Sequence, residues 1–467
     1  MRQDFEREVY SRLPLAQAVL LLWQYICDDD SLHDLFGRHR GRNYQKKITF
    51  PVMAQLVRDA LLEPDGSGHQ AFSRAQEEGT LTAVLSSTYD KLAHLPLPLS
   101  EAFLAEGASR LREVFPDSEL ADPVPASLSD FEVILLDGKV VKRVPRRLRP
   151  ARGRQGGLLG GKGLAALHLR TGLALALATD ADGEANDAKL VPALLPQVRS
   201  RVDGPRLWVA DRQFCDLVQA AAFVAEGDHF LVRYHSKVHF CPDPSRPAQR
   251  GQDGQGRAYE QEWGWLGREG NKARRRVRRV TLHRPGEEDI ILVTDLLDAA
   301  AYPAEDLLTL YLARWGIERV FQQITEVFHL NRLIATTPQG TLFQMSFCLL
   351  LYNMIQVIRG YVAVGQGHPV EVISAESLFT DVTKQLVALN ELVGTEQMLQ
   401  LVPAAKTAAA VRQRLRRLLG SVWSDCWIKA PSRQRKPPAR KQGNRDHTSV
   451  YRLLNAHRRA SRKAAVT

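Results

Sequence analysis

Leu307–Leu330 reads LLTLYLARWGIERVFQQITEVFHL, and the rest of the chain is organised around it. Tyr311, Arg314 and Glu318 stand at i, i+3 and i+7, offsets that share one face of a single helix. That face carries a phenol, a guanidinium and a carboxylate, while Leu310, Ile317, Phe321 and Ile324 supply the apolar side. Taken alone, Arg314 and Glu318 read as a solvated i,i+4 pair worth about 0.2–0.5 kcal/mol. Two acids upstream change that reading. Asp137 ends the apolar run FEVILLD and Asp211 ends LWVAD, so each stands where a buried strand meets a turn. Two strand-end aspartates and one helical glutamate form an all-oxygen donor set suited to a hard cation.

Bulk composition bounds the possibilities. A chain of 467 residues can hold two to four domains and a sizeable core. Lys and Arg outnumber Asp and Glu by 63 to 52, a formal charge of +11 that favours an anionic partner, nucleic acid first. Five cysteines are scattered without a CxxC pair, which fits reduced thiols in a cytoplasmic protein. His235, His239 and Cys241 alternate as in a strand, and no second ligand pair follows to make a zinc site. The apolar run Met345–Ile358 is too short to span a bilayer and reads as a buried helix, so no membrane association is expected.

Residues 1–125 read as helical, with helices expected at Phe5–Cys27, Pro51–Leu62 and Glu101–Phe115. Arg38, Arg40, Arg42, Lys46 and Lys47 form a basic link between the first two. The unit fits either a DNA-binding head or a packing domain with a solvated loop. A strand series follows in the order β-β-β-α-β-α-β: Phe131–Asp137, Leu164–Leu169, Leu173–Thr179, a helix over Ala185–Val198, Arg206–Ala210, a helix over Phe214–Ala225, and His229–Tyr234. Residues 235–290 are rich in Gly, Pro and Arg and alternate in polarity, so they read as a β-rich insertion. Ile290–Val293 returns the chain to the core, giving core parts at 126–234 and 291–360. Helices are expected at Ser374–Val393 and Thr407–Leu419 within a C-terminal region, 361–428. Residues 429–467 form a basic tail that reads as flexible and suited to polyanions.

The run VTDLLDAAAYPAEDLLTLYLARWGIERVFQQ resembles the signature helix of the insertion-sequence-four family of bacterial DDE transposases, whose pattern is Y-x2-R-x3-E-x6-K. LLDGK resembles the family's first motif and ADRQFCD its second, so the resemblance covers about Phe131 to Arg359. It implies an α/β, ribonuclease H-like core, a mixed sheet flanked by helices, with a β-rich insertion and helical N- and C-terminal regions. In such a core the first and fourth strands lie side by side. It implies that Asp137, Asp211 and Glu318 hold two Mg2+ ions (Mn2+ as substitute), Asp137 bridging them. It implies end binding by residues 1–125, cleavage and joining of 3′ ends, hairpin ends in one branch, and a homodimer on double-stranded DNA through the C-terminal helices. One position departs: the family lysine, a phosphate contact, is Thr325 here.

Arg314 and Tyr311 would face the cleft and bind phosphate, or else pack behind the acids. Two basic clusters read as phosphate tracks or solvated faces. One, containing Arg143, Arg146 and Arg147, follows Asp137; the other, containing Arg275 and Arg276, lies in the insertion; Arg212 stands beside Asp211. Trp263 and Trp265 share a strand face. In hairpin-forming relatives an insertion tryptophan stacks on a flipped base, and core packing is the simpler alternative. Two other functions fit the residues: a DNA-binding relative without catalysis, favoured only by Thr325, and a nuclease of the same fold that cuts without joining.

Overall fold

The computed structural model describes residues 8–62, 67–393, 402, 405–429 and 447–464. The N-terminal helices are α1 (Pro14–Ile26), α2 (Asp29–His39), α3 (Phe50–Leu62), α4 (Gly68–Glu77), α5 (Leu85–Ala93) and α6 (Leu97–Val114). α1 begins at Pro14, whose fixed φ suits a first helical position. Asp28 caps α2 by accepting from the Ser31 N–H. These helices do not stand apart. Phe50, Phe103, Phe343 and Phe347 pack edge-on and tilted in one aromatic cluster, so α3 and α6 share a core with the long helix described below.

Among the described residues the sheet has eleven strands. In chain order they are β1 (Glu132–Lys142), β2 (Gly157–His168), β3 (Ala174–Asp180), β4 (Arg206–Ala210), β5 (His229–Arg233), β6 (Phe240–Pro242), β7 (Gln249–Gln252), β8 (Ala258–Leu266), β9 (Arg275–Leu282), β10 (Ile290–Thr294) and β11 (His447–Ser449). The order across the sheet is β11-β2-β1-β4-β5-β10-β9-β8-β6, with β3 also on β2 and β7 on β8. β1 is antiparallel to β2 and parallel to β4, with Leu136 opposite Ala210. Strands covered on both faces read as continuous apolar runs, which is why Val133–Leu136 and Leu207–Ala210 carry no alternation. The register sets the next residue of each strand, Asp137 and Asp211, side by side at the same sheet end.

Residues 235–290 do not form a separate module. They extend the same sheet, because β9 pairs with β10 and β10 with β5. Helices α7 (Val191–Arg199) and α8 (Leu217–Phe223) connect the core strands. Asp228 anchors them: fully buried, it accepts from Arg206 Nε (2.7 Å), Arg199 Nε (2.9 Å) and Trp208 Nε1 (3.1 Å). Two donors are cations, so the buried carboxylate is paired rather than stranded.

Then come α9 (Ala304–Ala313), α10 (Trp315–Glu326), α11 (Pro338–Gln366), α12 (Ala375–Val393) and α13 (Ala408–Leu419). The apolar run around Met345 is the middle of α11. That helix has 29 residues, enough to cross a membrane by length and composition, yet it is covered by protein on almost all sides. Thr337 caps its start and Gly367, at φ 65°, ends it in the left-handed conformation.

The expectation of a flexible tail is corrected for part of its length. Residues 430–446 and 465–467 lie outside the described residues, but β11 and α14 (Val450–Ala464) are ordered. β11 adds to β2 in parallel, and Arg452 pairs with Asp182 (2.8 Å) and Glu184. The tail's charge hides this docking in the sequence, because three strand residues carry no legible period.

Candidate functional site

The helix expected across Tyr311–Glu318 is two helices, α9 and α10, meeting at Arg314. The Arg314 N–H bonds to Tyr311 C=O (3.0 Å), and the Ile317 N–H bonds to Arg314 C=O (3.0 Å). These three-residue bonds tighten one turn. Gly316, the poorest helix former of the stretch, lies beside the break. Arg314 keeps right-handed backbone angles, φ −52° and ψ −33°, so its side chain still faces the two strand ends.

All three acids surround that one guanidinium. Arg314 Nη2 donates to Glu318 Oε1 at 2.8 Å, and Nη1 lies 3.9 Å from Asp137 Oδ2. Asp211 is close enough to act electrostatically on both Asp137 and Arg314. Arg314 is 4% exposed, and its Nε has no hydrogen-bond partner. Tyr311 is buried against it, with the guanidinium 5.6 Å from the ring centre, and burial pushes the phenol up to about 12.

Asp137 is half-buried, its side chain 17% exposed. Burial pushes its carboxyl up to about 6; Arg314 and the Gly138 N–H oppose that, and Glu318 and Asp211 reinforce it. Asp211 Oδ1 is buried with no hydrogen-bond partner. Glu318, in the first turn of α10, is half exposed at its carboxylate. Gly138 is required by close approach: a Cβ there would meet the Asp187 carboxylate at 2.3 Å. Asp187 is held in turn by Lys162, 2.7 Å away. The acid group Asp182, Glu184 and Asp187 is thus consumed by Arg452 and Lys162.

Among the described residues, no three His, Cys, Asp or Glu side chains are gathered closely enough to hold a metal ion. In place of ligand spacing, the arginine sits between the acids. The donor set still fits a hard divalent cation. It is all oxygen, and an orphaned carboxylate oxygen on Asp211 has exactly the unmet demand that a cation satisfies.

The candidate DNA contacts divide. Thr325 is not a free donor: its hydroxyl bonds to Phe321 C=O at 2.6 Å within its own helix. Trp263 is corrected from a base-stacking candidate to a core residue. It is 0% exposed, donates to Leu297 C=O (2.8 Å) and lies under Arg246. Trp265 is half-buried beside Arg274 (4.6 Å from its ring centre) and Arg276. Trp263 and Trp265 sit on β8 and Arg276 on β9, five and four strands from β1, roughly 20–25 Å at ~4.8 Å per strand. Arg276 is exposed and Arg275 half-buried. Arg143 is exposed at φ 62°, Arg147 is exposed, and Arg146 donates to Arg154 C=O and Gly156 C=O. Arg212 is exposed, 4.0 Å from Glu288. One cation near the acids escaped notice: Lys139, two residues beyond Asp137. Strand alternation, which puts i and i+2 on one face, was the signal for it.

Residues 128–354 match the family model described as the transposase DDE domain, a span that starts just before β1 and ends inside α11. No curated protein matches the chain. A solved structure, described as "Cryo-EM structure of piggyBac transposase synaptic complex with hairpin DNA (SNHP)", is similar at 12% identity and a TM-score of 0.41, covering 88% of each chain.

Proposed function

We propose that this chain, an enzyme of the DDE transposase class, binds the ends of a mobile DNA element, cleaves the phosphodiester at each end and joins the freed 3′-hydroxyls to target DNA. The observation that carries the reading is the meeting of Asp137, Asp211 and Glu318 around one buried guanidinium inside the matched span. The order β3-β2-β1-β4-β5, with β1 antiparallel to β2 and parallel to β4, supports a ribonuclease H-like core of the insertion-sequence-four kind. Two copies acting on paired ends complete the reading.

Asp137, Asp211 and Glu318 would hold Mg2+, or Mn2+ in its place. When bound, such ions activate a hydroxyl nucleophile and stabilise the leaving 3′-oxygen. The chain's own groups prepare for that. Asp137 must give up its proton to become a ligand, and its raised pKa makes loading easier above about pH 6. Arg314 balances the acids' charge in the meantime. Once released from Glu318, its planar fork is placed to grip a phosphate oxygen pair. Tyr311, buried and neutral, fixes the guanidinium from behind.

The test is excision in cells. A marker is flanked by the repeats bordering the gene, and wild type is compared with Glu318→Gln. Excision by wild type alone is expected. Excision by both would remove Glu318 from the site. Failure of both, with gel-shift binding to the repeats retained, would point to the non-catalytic relative instead.

A further inference from the structure

Lys139 is a cation inside the acid cleft that the folded chain leaves almost unused. It projects from β1 on the same face as Asp137, two residues further along, about 6.6 Å at the usual strand rise. Its side chain is half-buried between β1 and α10. Its ammonium makes one long hydrogen bond, 3.4 Å to Phe321 C=O, and lies 5.9 Å from the Phe321 ring centre. Among the described residues it is in no ion pair. The contrast with Lys162 on the neighbouring strand is direct, since that ammonium is 2.7 Å from Asp187. An ammonium removed from water loses hydration that one long carbonyl contact does not replace. Such a group fits an anion that arrives later.

Where it sits specifies the anion. Phe321 is one turn beyond Glu318 on α10, and the same Phe321 carbonyl accepts the Thr325 hydroxyl. Lys139 therefore reaches, from the strand, the part of the helix where Thr325 stands. The cleft between β1 and α10 has the acids at one level and this ammonium at the next, with Lys142 and Glu326 near enough to act on it electrostatically.

We propose that Lys139 binds the DNA backbone phosphate next to the one being cut, supplying from β1 the ionic contact that Thr325 cannot supply from α10. The proposal rests on the transposase reading above. A DNA strand lying along the cleft presents its scissile phosphate to Asp137 and Glu318 and its neighbouring phosphate to Lys139. That second contact holds the strand in register without touching the reacting atoms.

The experiment uses the full chain and a fluorescent duplex ending in the repeat that borders the gene. Binding is measured across a salt series, and cleavage is measured in a single turnover. In Lys139→Met the slope of log affinity against log salt should become shallower by about 0.9, one phosphate contact on duplex DNA. Cleavage should fall roughly tenfold or more, as for the loss of one charge-assisted contact. Lys139→Arg should keep both. Lys139→Met combined with Thr325→Lys should regain the slope and most of the cleavage, because the new ammonium enters at the same carbonyl. A purely structural Lys139 would give a different pattern: a lower melting temperature in Lys139→Met, an unchanged slope and no rescue by Thr325→Lys. That pattern with an active wild type overturns the proposal alone. A wild type that neither binds nor cuts the duplex overturns the transposase reading itself.

Discussion

The cleft around Arg314 and the ribbon formed by β8 and β9 belong to one sheet, and both are rich in charge. They differ in which charges meet. In the ribbon, arginines meet scattered single partners: Arg279 with Glu262, Arg278 Nη1 with Tyr302 C=O, and Arg246 over Trp263, while Gln261 Oε1, Arg275 Nε and Arg278 Nε and Nη2 are buried without a partner. In the cleft, three acids meet one guanidinium, and groups are left short there too. Asp211 Oδ1 and Arg314 Nε have no partner, the Asp137 carboxyl is pushed up to about 6, and Lys139 has one long contact. A fold tolerates unmet buried polar groups at a cost of about 1–3 kcal/mol each. What sets the cleft apart is that unmet acceptors belong to converging acids at the strand ends. Neither charge nor unmet polar atoms alone mark such a place, because the ribbon has both.

The comparison is broken most severely through the acids. Asp137→Ala, Asp211→Ala or Glu318→Ala is expected to reduce end cleavage by at least ~10⁴-fold, more than ~5 kcal/mol of barrier, while gel-shift binding stays near wild type. A variant that still cuts at the wild-type rate would take its residue out of the cleft chemistry.

Trp263→Ala should do the reverse. It opens a large cavity and frees Leu297 C=O, so unfolding free energy should fall by about 3–5 kcal/mol in denaturant titration. Cleavage per folded molecule should be retained. Strand transfer lost at full stability would make Trp263 a DNA contact after all.

The unmet charge in the cleft also has a pH signature. The folded Asp137 carboxyl is raised from 3.8 to about 6, so the folded state holds that proton more tightly than the unfolded chain. The associated stability is present below pH 3.8 and is lost as pH rises through 6. In metal-free protein, Asp137→Asn should match wild type near pH 3.5 and exceed it by about 1–3 kcal/mol at pH 7.5. Thermal melts in chelator give the difference. A gap that is constant with pH would mean that Asp137 is not desolvated.

The smallest effect belongs to Trp265. Half-buried on the ribbon, Trp265→Ala should weaken DNA binding by about 1–3 kcal/mol if a base stacks there, with stability within about 1 kcal/mol of wild type. An affinity equal to wild type would leave the ribbon with no part in DNA contact through this ring.

Sequence carried the strand ends well. Arg206–Ala210 matches its expected bounds, because a strand buried on both faces leaves an unbroken apolar run followed by a polar residue. The side-by-side placement of Asp137 and Asp211 needed pairing register, which no local pattern contains. The break at Arg314 was masked by side-chain spacing that stays helical across it. The fate of Trp263 was undecidable, since period two tells which residues share a face but not what covers that face. Helix Asp29–His39 was missed because acids and histidines crowd its exposed side, and β11 because its three residues sit in a run of cations. Lys139 was visible by alternation, but its lack of a partner is a three-dimensional fact.

The proposed use of the cleft acids is as a divalent-cation site on DNA. Mn2+ binding to the protein and its end duplex, followed by electron paramagnetic resonance of the free ion, tests it most directly. Wild type should take up Mn2+ at concentrations where Asp211→Asn and Glu318→Gln take up none. Equal uptake by all three proteins would place the metal elsewhere and contradict the account.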